Sequence, residues 1–399
     1  MNAVFRAALA TLAAGAMAAA QADAVTDWNE RSCDAVVAAG LPAQPANRVM
    51  AIAHTAALQA AERFATQDMG PDRRTAMEAA IAGAHRAALL KLLPAQQALV
   101  DRGYEAAMAR LPAGGAKLAG AAAGAQAAAA LIAQREDDGA AAPEAYRPAA
   151  MPGRYVPTAL PAVPQWSQRR PWLMARGDAF RPGPPPVLAS ERWARDFNET
   201  RTLGARTGGP RSAEQAEIAR FWETTVPPIY HMLARGLAEQ PGRDLLRNAR
   251  LFAALTQGMD DAMIAVFDAK YHHAAWRPVT AIRNADQDGN DATTRDPAWT
   301  PLLTTPMHPE YPCAHCVQSG VVAAVLQAEA ARGAALPVLR TRSASAQGGE
   351  RSWATLDEVV REVGEARIYG GMHFRFSTEA GAELGRRIGA LAAARHLGD

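Results

Sequence analysis

Cysteine is scarce in this chain, three in 399 residues, too few to staple a fold together, so stability must come from a buried core. An excess of charge of one sign is missing as well. With 42 Lys and Arg against 40 Asp and Glu, no field exists that would hold a duplex or an anionic bilayer, which excludes nucleic acid as a partner and makes any basic chemistry local. Alternating Val, Ile, Tyr and Thr is nearly absent, so no sheet is expected. Past the N-terminus no segment reads as membrane-spanning: Ala113 to Ala133 is long enough, but alanine contributes little transfer free energy and Lys117 and Gln126 interrupt it. What is abundant is apolar residue, 49%, enough for one or two domains with a sizeable core.

Met1 to Ala24 carries one early cation, Arg6, then an uncharged Ala- and Leu-rich stretch, then Ala22-Asp23-Ala24, the small-x-small pattern of a signal peptidase site. Residues 1–24 read as a signal peptide and the protein as exported, periplasmic or secreted; a hydrophobic first helix of the mature fold is the alternative. Residues 25–138 form an N-terminal helical region, since Ala46 to Ala65 and Arg73 to Leu93 place apolar residues at three- and four-residue spacings. Cys33 within it reads as a small buried apolar residue. Residues 139–190 shift to Pro, Gly and Arg and read as a connection draped over the surface. Helical patterning resumes over residues 191–399.

In that last region Ser212-Ala213-Glu214-Gln215 is a capping box, and a helix is expected from about Asp244 to Arg277 with Phe252, Leu255, Met259, Met263 and Phe267 on one stripe. The stripe continues onto Lys270 and Arg277. Two cations on a core-facing side are costly unless they meet an anion; the plainer alternative pairs Lys270 with Asp268 and lets Arg277 cap carbonyls before Pro278. Tyr311-Pro312-Cys313-Ala314-His315 precedes an apolar helical run, so backbone amides of a helix N-terminus, which favour anions, lie at Cys313 and Ala314. Arg367 stands six residues ahead of His373 across Gly370-Gly371, and a further helix is expected from Ser377 to Leu397 with Ser or Thr as its cap. Asp286 to Asp291 hints at a calcium loop but has Pro297 where the closing Glu would stand, and reads as a polar turn.

Lys270 with six residues to Arg277-Pro278, then Pro312-Cys313-Ala314-His315, then Arg367 with five residues to His373, resembles the three-part signature of the vanadium-dependent haloperoxidase and type 2 phosphatidic acid phosphatase superfamily. Trp276 to Arg283, His308 to Pro312 and His373 to Phe376 resemble its bacterial haloperoxidase-type members more than its lipid phosphatases, and Val25 to Glu62 is similar to their N-terminal helices. The resemblance implies an all-α, multi-helix bundle with an oxyanion site inside it. Lys270, Arg277 and Arg367, with the backbone at Cys313 and Ala314, would hold vanadate or phosphate; His373 would bind vanadium or attack phosphorus; His315 would be the general acid and base. His308 matches a position where bromoperoxidases of the family also carry His, and stands equally well as a loop histidine. The implied function is vanadate-dependent oxidation of halide by hydrogen peroxide. The alternative is an acid phosphatase hydrolysing small phosphate esters through a phosphohistidine on His373, with no cofactor, and the third reading is a non-catalytic phosphate or vanadate binder.

Three positions depart from the family pattern. Cys313 and Ala314 replace the usual Ser and Gly, exchanging a hydroxyl donor for a thiol. Ser377 stands where an acid often follows the last histidine, leaving Glu365, Glu379 or backbone carbonyls to orient the His373 ring. Cys313 at a helix N-terminus among cations is expected to have a lowered pKa and to react with peroxide unless it is bonded to Cys316. The Cys313-Ala314-His315-Cys316 tetrad also reads as a dithiol redox site, though without the sheet such sites usually stand on.

Overall fold

Apolar residues recurring at helical spacing, punctuated by Pro and Gly, fold into thirteen α-helices among the described residues. The structure is a computed structural model that describes residues 23–333 and 335–398. The first half holds α1 (Ala24–Ala38), α2 (Ala43–Ala65), α3 (Asp72–Leu92), α4 (Gln97–Ala109) and α5 (Gly115–Gln134). After the Pro-rich stretch come α6 (Glu191–Leu203), α7 (Ala213–Phe221), α8 (Pro228–Ala238), α9 (Leu245–His273), α10 (Pro278–Arg283), α11 (Ala314–Ala331), α12 (Leu356–Tyr369) and α13 (Arg375–His396). The expected all-α bundle is what forms, and the Ser212–Gln215 capping box starts α7.

The centre of the bundle is α9. Its stripe of Phe252, Leu255, Met259, Met263 and Phe267 is fully enclosed, with α2 against one side and α11 and α13 against others. One hydrophobic cluster runs from Val25 to Leu397, so the two halves share a core. Helix α5 is long and apolar enough to cross a membrane by length and composition, yet it lies along α3 with Gly120, Ala123, Gly124, Ala128 and Leu131 buried.

Most of the signal-peptide expectation lies outside the described residues, but its end does not. The Asp23 carboxylate caps α1, accepting the amides of Val25 and Thr26 at 2.9 and 3.0 Å, and takes a third bond from the Asn248 side chain at 2.9 Å. A chain cut between Ala24 and Val25 would lose that cap.

Four other expectations are corrected. Strands β1 (Leu339–Ser343) and β2 (Gly349–Trp353) pair antiparallel, so a small sheet does exist. Its sequence, with Arg, Ser and Glu outward, lacks the β-branched alternation that would have marked it. The helix expected to run to Arg277 stops at His273, where Ala274 turns into the left-handed region at φ 48°, a conformation costing a non-glycine residue about 1 kcal/mol. Helix α13 begins two residues earlier than expected, with Phe374 rather than a hydroxyl residue at its cap. Finally, the Pro-rich stretch is not merely draped. Trp166 and Arg169 are buried, and Arg169 bonds Asp260 of α9 at 2.6 and 2.9 Å and Asp138 at 2.9 Å. Asp261 beside it accepts the amides of Trp172, Leu173 and Met174. Two adjacent acids on α9 thus pin a stretch that has no ladder of its own. Asp260→Ala leaves the Arg169 guanidinium buried and half-paired, and should cost about 3–5 kcal/mol in urea unfolding; a loss below about 1 kcal/mol, the worth of a surface pair, would show the network to be ornamental.

Candidate active site

Four chain segments converge behind the C-terminal end of α9. Lys270 sits in its last turn, fully buried, with Nζ donating to the carbonyls of Pro309 and Glu310 at 3.0 and 2.8 Å. The break at Ala274 then swings the chain round. The Pro-rich stretch holds this turn in place, Tyr155 N–H donating to Ala274 O at 2.7 Å and Trp276 N–H to Gly153 O at 2.9 Å. Arg277 therefore enters the site from the cap of α10 rather than from the α9 stripe. Its Nε donates to His308 O at 2.8 Å and its NH1 to Met372 O at 3.0 Å. Arg367 comes from the last turn of α12, NH1 donating to Trp222 O at 2.8 Å. Past it Gly371 turns at φ 73°, and a Cβ there would stand 2.7 Å from Gly204 O. This is how His373 reaches back six residues to face the cations.

The His373 ring is fixed at both nitrogens. Nδ1 lies 2.7 Å from Glu310 Oε1, so Nδ1–H donates to the carboxylate, and Nε2 presents its lone pair to Arg277 NH1 at 3.3 Å. Glu310 Oε1 also accepts the Phe374 amide at 3.1 Å. The acids expected to orient His373 do not: Glu365 binds Arg375 and Glu379 binds Arg192. Ser377 does contribute, its hydroxyl lying 3.3 Å from Nδ1. Glu310 was in plain view between His308 and Pro312; a lone acid in an apolar loop was the signal.

His308, with its ring centre 5.2 Å from that of Phe267, accepts from Arg277 NH2 at Nδ1, 2.9 Å away. An arginine only donates, so Nδ1 carries no proton and its 3.2 Å approach to Pro309 O is not a hydrogen bond. His315 lies in the first turn of α11 with Nε2 3.2 Å from Glu223 O. Ala314 stands at the start of α11 and Cys313 is its cap. The Cys313 sulfur accepts the Cys316 amide at 3.3 Å and faces the Cys316 thiol at 2.6 Å, neither being in a disulfide. Lys270, Arg277, His308, Cys313, Ala314, His315, Arg367 and His373 are thus all buried in one region.

Burial sets the electrostatics. It depresses the pKa values of Lys270, Arg277 and Arg367, with Arg277 falling to about 10. Burial and then the neighbouring cations hold His308, His315 and His373 neutral, well below the usual histidine range. Glu310 is raised by burial to about 7 although Lys270 and Arg277 pull it down. Burial works against a Cys313 thiolate, but the bond from the Cys316 thiol and the charge of Arg367 outweigh it and bring Cys313 below the ordinary thiol range. Three buried cations face one buried carboxylate, Arg367 Nε has no hydrogen-bond partner, and neither has Glu310 Oε2. Positive charge is thus in excess, and a multiply charged oxyanion is the group that would balance it and accept from Arg367 Nε.

Residues 250–397, which supply Lys270 through His373, match the family model described as the VCPO second helical-bundle domain. The match covers the C-terminal part of the chain, where the site lies. Solved haloperoxidase structures share the fold almost end to end. A bacterial vanadium-dependent iodoperoxidase superposes with a TM-score of 0.76 at 22% identity, covering 93% of this chain and 95% of that one. A holo-type bacterial vanadium-dependent chloroperoxidase gives 0.72 at 18% identity, with 90% and 94% covered. Its apo-type counterpart gives 0.73 at 17%, with 90% and 95% covered. No curated protein matches the sequence. Because the haloperoxidase coverage extends over the first half and the Pro-rich stretch, those parts belong to the shared fold too.

Proposed function

We propose that the protein is a vanadate-dependent haloperoxidase that oxidises halide with hydrogen peroxide. The observation that carries the reading is the convergence of Lys270, Arg277 and Arg367 on a histidine whose Nε2 lone pair is freed by a carboxylate on Nδ1. Lys270, Arg277 and Arg367, with the α11 amides near Cys313 and Ala314, would hold vanadate's oxygens, and His373 Nε2 would be its protein ligand. Vanadate supplies a Lewis acid that makes peroxide electrophilic toward halide. The chain's own residues do the rest. Glu310 keeps the proton on Nδ1 and so the lone pair on Nε2. His315, neutral and with Nε2 donating to Glu223 O, leaves Nδ1 as the base that takes a proton from an incoming peroxide and returns it to the departing oxygen. The enclosed site keeps bulk water from the cations.

A second reading rests on the same lone pair, which is also the nucleophile of a phosphohistidine, so that a small phosphate ester would be hydrolysed without cofactor. The deciding experiment runs the two assays side by side on phosphate-free protein: bromide oxidation by peroxide with and without added vanadate, and hydrolysis of an aryl phosphate. Vanadate-dependent oxidation supports the first reading, vanadate-inhibited hydrolysis alone the second, and anion binding with neither activity leaves a non-catalytic binder.

The N-terminal segment supports export. With Asp23 capping α1, processing after Ala20-Gln21-Ala22 preserves the cap while processing after Ala24 removes it. The intact mass of the exported protein should correspond to a chain starting at Asp23; one starting at Val25 would refute this.

A further inference from the structure

We propose that Cys313 and Cys316 are a peroxide-oxidisable dithiol within the oxyanion pocket, and that closing them into a disulfide tightens the pocket's hold on an oxyanion. The chemistry follows from where the sulfurs lie. Three residues apart on the first turn of α11, they face each other at 2.6 Å, and the Cys313 sulfur accepts both the Cys316 amide and the Cys316 thiol. Two donors and the Arg367 charge favour an anion on Cys313, whereas Cys316 has donated its proton toward that sulfur. Cys313 is therefore the attacking thiolate and Cys316 the resolving thiol. Helix α13 closes over the pair at Gly381, where a Cβ would stand 2.5 Å from Cys313 O and 3.0 Å from the Cys316 Cβ. That packing keeps both residues on their turn, within the Cα separation a disulfide requires.

The steps balance with peroxide as the one oxidant. The Cys313 thiolate attacks one oxygen of hydrogen peroxide; an S–O bond forms, the O–O bond breaks, and hydroxide leaves with the electron pair and is protonated to water. The Cys316 sulfur then attacks the sulfenic sulfur. The S–S bond forms, the S–O bond breaks, and the departing hydroxide takes the Cys316 proton. Two thiols and one peroxide become a disulfide and two waters.

The link to anion binding is charge. Cys313 follows three residues after Glu310, whose carbonyl Lys270 holds at 2.8 Å, and its amide donates at 3.1 Å to the carbonyl of Ser377, whose hydroxyl lies 3.3 Å from His373 Nδ1, so a thiolate there stands beside the site and competes with an oxyanion for Lys270, Arg277 and Arg367. The disulfide is neutral and frees them. Removing one charge from beside a bound anion should tighten binding by roughly tenfold or more. The inference needs the oxyanion pocket but neither catalytic activity.

The test uses the mature protein, reduced and then exposed to stoichiometric hydrogen peroxide without vanadate, quenched in acid, denatured and alkylated. Peptide mass spectrometry should show Cys313 and Cys316 joined and Cys33 still alkylated. Cys316→Ser should halt at a Cys313 sulfenic acid that dimedone traps, while Cys313→Ser should yield no oxidised product at this site. Calorimetric titration with inorganic phosphate should give the roughly tenfold tighter binding in the oxidised protein, and Cys313→Ser should bind alike before and after peroxide. Thiols that survive peroxide, or oxidation confined to Cys33, overturn the dithiol; equal phosphate affinity in both redox states overturns the coupling. A protein that forms the disulfide and responds in phosphate binding but never oxidises bromide keeps this inference and loses the haloperoxidase reading, and the converse result does the reverse.

Discussion

His373→Ala should abolish vanadate-dependent bromide oxidation, and Glu310→Gln should lower it by about 10–100-fold together with vanadate affinity. The two variants probe one device from opposite ends. His373 can ligate or attack only through an unprotonated Nε2, and in this pocket burial and three cations already keep the ring neutral. Neutrality alone leaves the tautomer open; the 2.7 Å bond from Nδ1–H to Glu310 decides it. Glutamine can still accept that proton through its oxygen, but it withdraws the negative charge that raises the ring's basicity and balances Lys270 and Arg277. The amide can also turn its NH2 toward Nδ1, which would move the proton to Nε2 and block the lone pair. Glu310→Gln should therefore weaken vanadate binding in a titration as well as turnover, a result that lost packing alone would not give if the variant's melting temperature stays near wild type. Full turnover in His373→Ala would sink the site assignment, and unchanged vanadate affinity in Glu310→Gln would sink the role of the carboxylate.

The second large effect is on stability in acid. Outside the anion pocket, His54 on α2, His85 on α3 and His231 on α8 are buried together, with His54 and His85 ring centres 4.7 Å apart. Asn29 Nδ2 reaches His54 Nε2 at 3.1 Å and His231 Nδ1 at 2.7 Å, and Ser32 Oγ lies 3.0 Å from His85 Nδ1. No acid accompanies them in these contacts, and Arg235, which donates to Asn29 Oδ1 at 2.8 Å, adds a positive charge. Burial brings His85 and His231 down to about 3, and burial with the charge of the other two rings holds His54 well below the ordinary histidine range as well. The unfolded chain, with ordinary histidines near pH 6.5, takes up protons first. Stability is therefore complete above that pH and is lost as the pH falls from there toward about 3. At pH 5 His85 and His231 should each cost about 2 kcal/mol, about 4 kcal/mol for the two, with His54 adding in the same direction. Asp261 and Glu310, raised by burial to about 6 and about 7, act in the opposite sense over the same range. A difference measurement removes them: urea unfolding of His85→Leu should lose about 2 kcal/mol less than wild type between pH 7 and pH 5. An equal loss in both proteins would mean that His85 is charged or hydrated in the fold.

The chemistry of the site was legible in the chain because it depends on residue type at short spacing. Lys270, Arg277, Cys313, His315, Arg367 and His373 could all be named, and so could the helices that carry most of them, since a 3.6-residue period is a local property. What each atom faces was not. Arg277 reads as a continuation of the α9 stripe, yet Ala274 breaks the helix in a conformation no alanine prefers, held there by backbone bonds to Gly153 and Tyr155 more than a hundred residues earlier. Ser377 reads as a missing acid, and the acid is Glu310, supplied by a loop 63 residues before His373 in sequence. Propensity is silent about both, because partners distant in the chain impose them. The Pro-rich stretch shows the same division: its composition excludes helix, but only the buried Asp260 and Asp261 decide that it is a fixed wall of the bundle. Composition and period determined that this protein is a helical bundle, and motif spacing picked out the cations, histidines and cysteines that it buries together. Long-range packing, which balances burial against a few well-placed hydrogen bonds, decided which nitrogen of His373 stays free and which sulfur of the cysteine pair carries the charge.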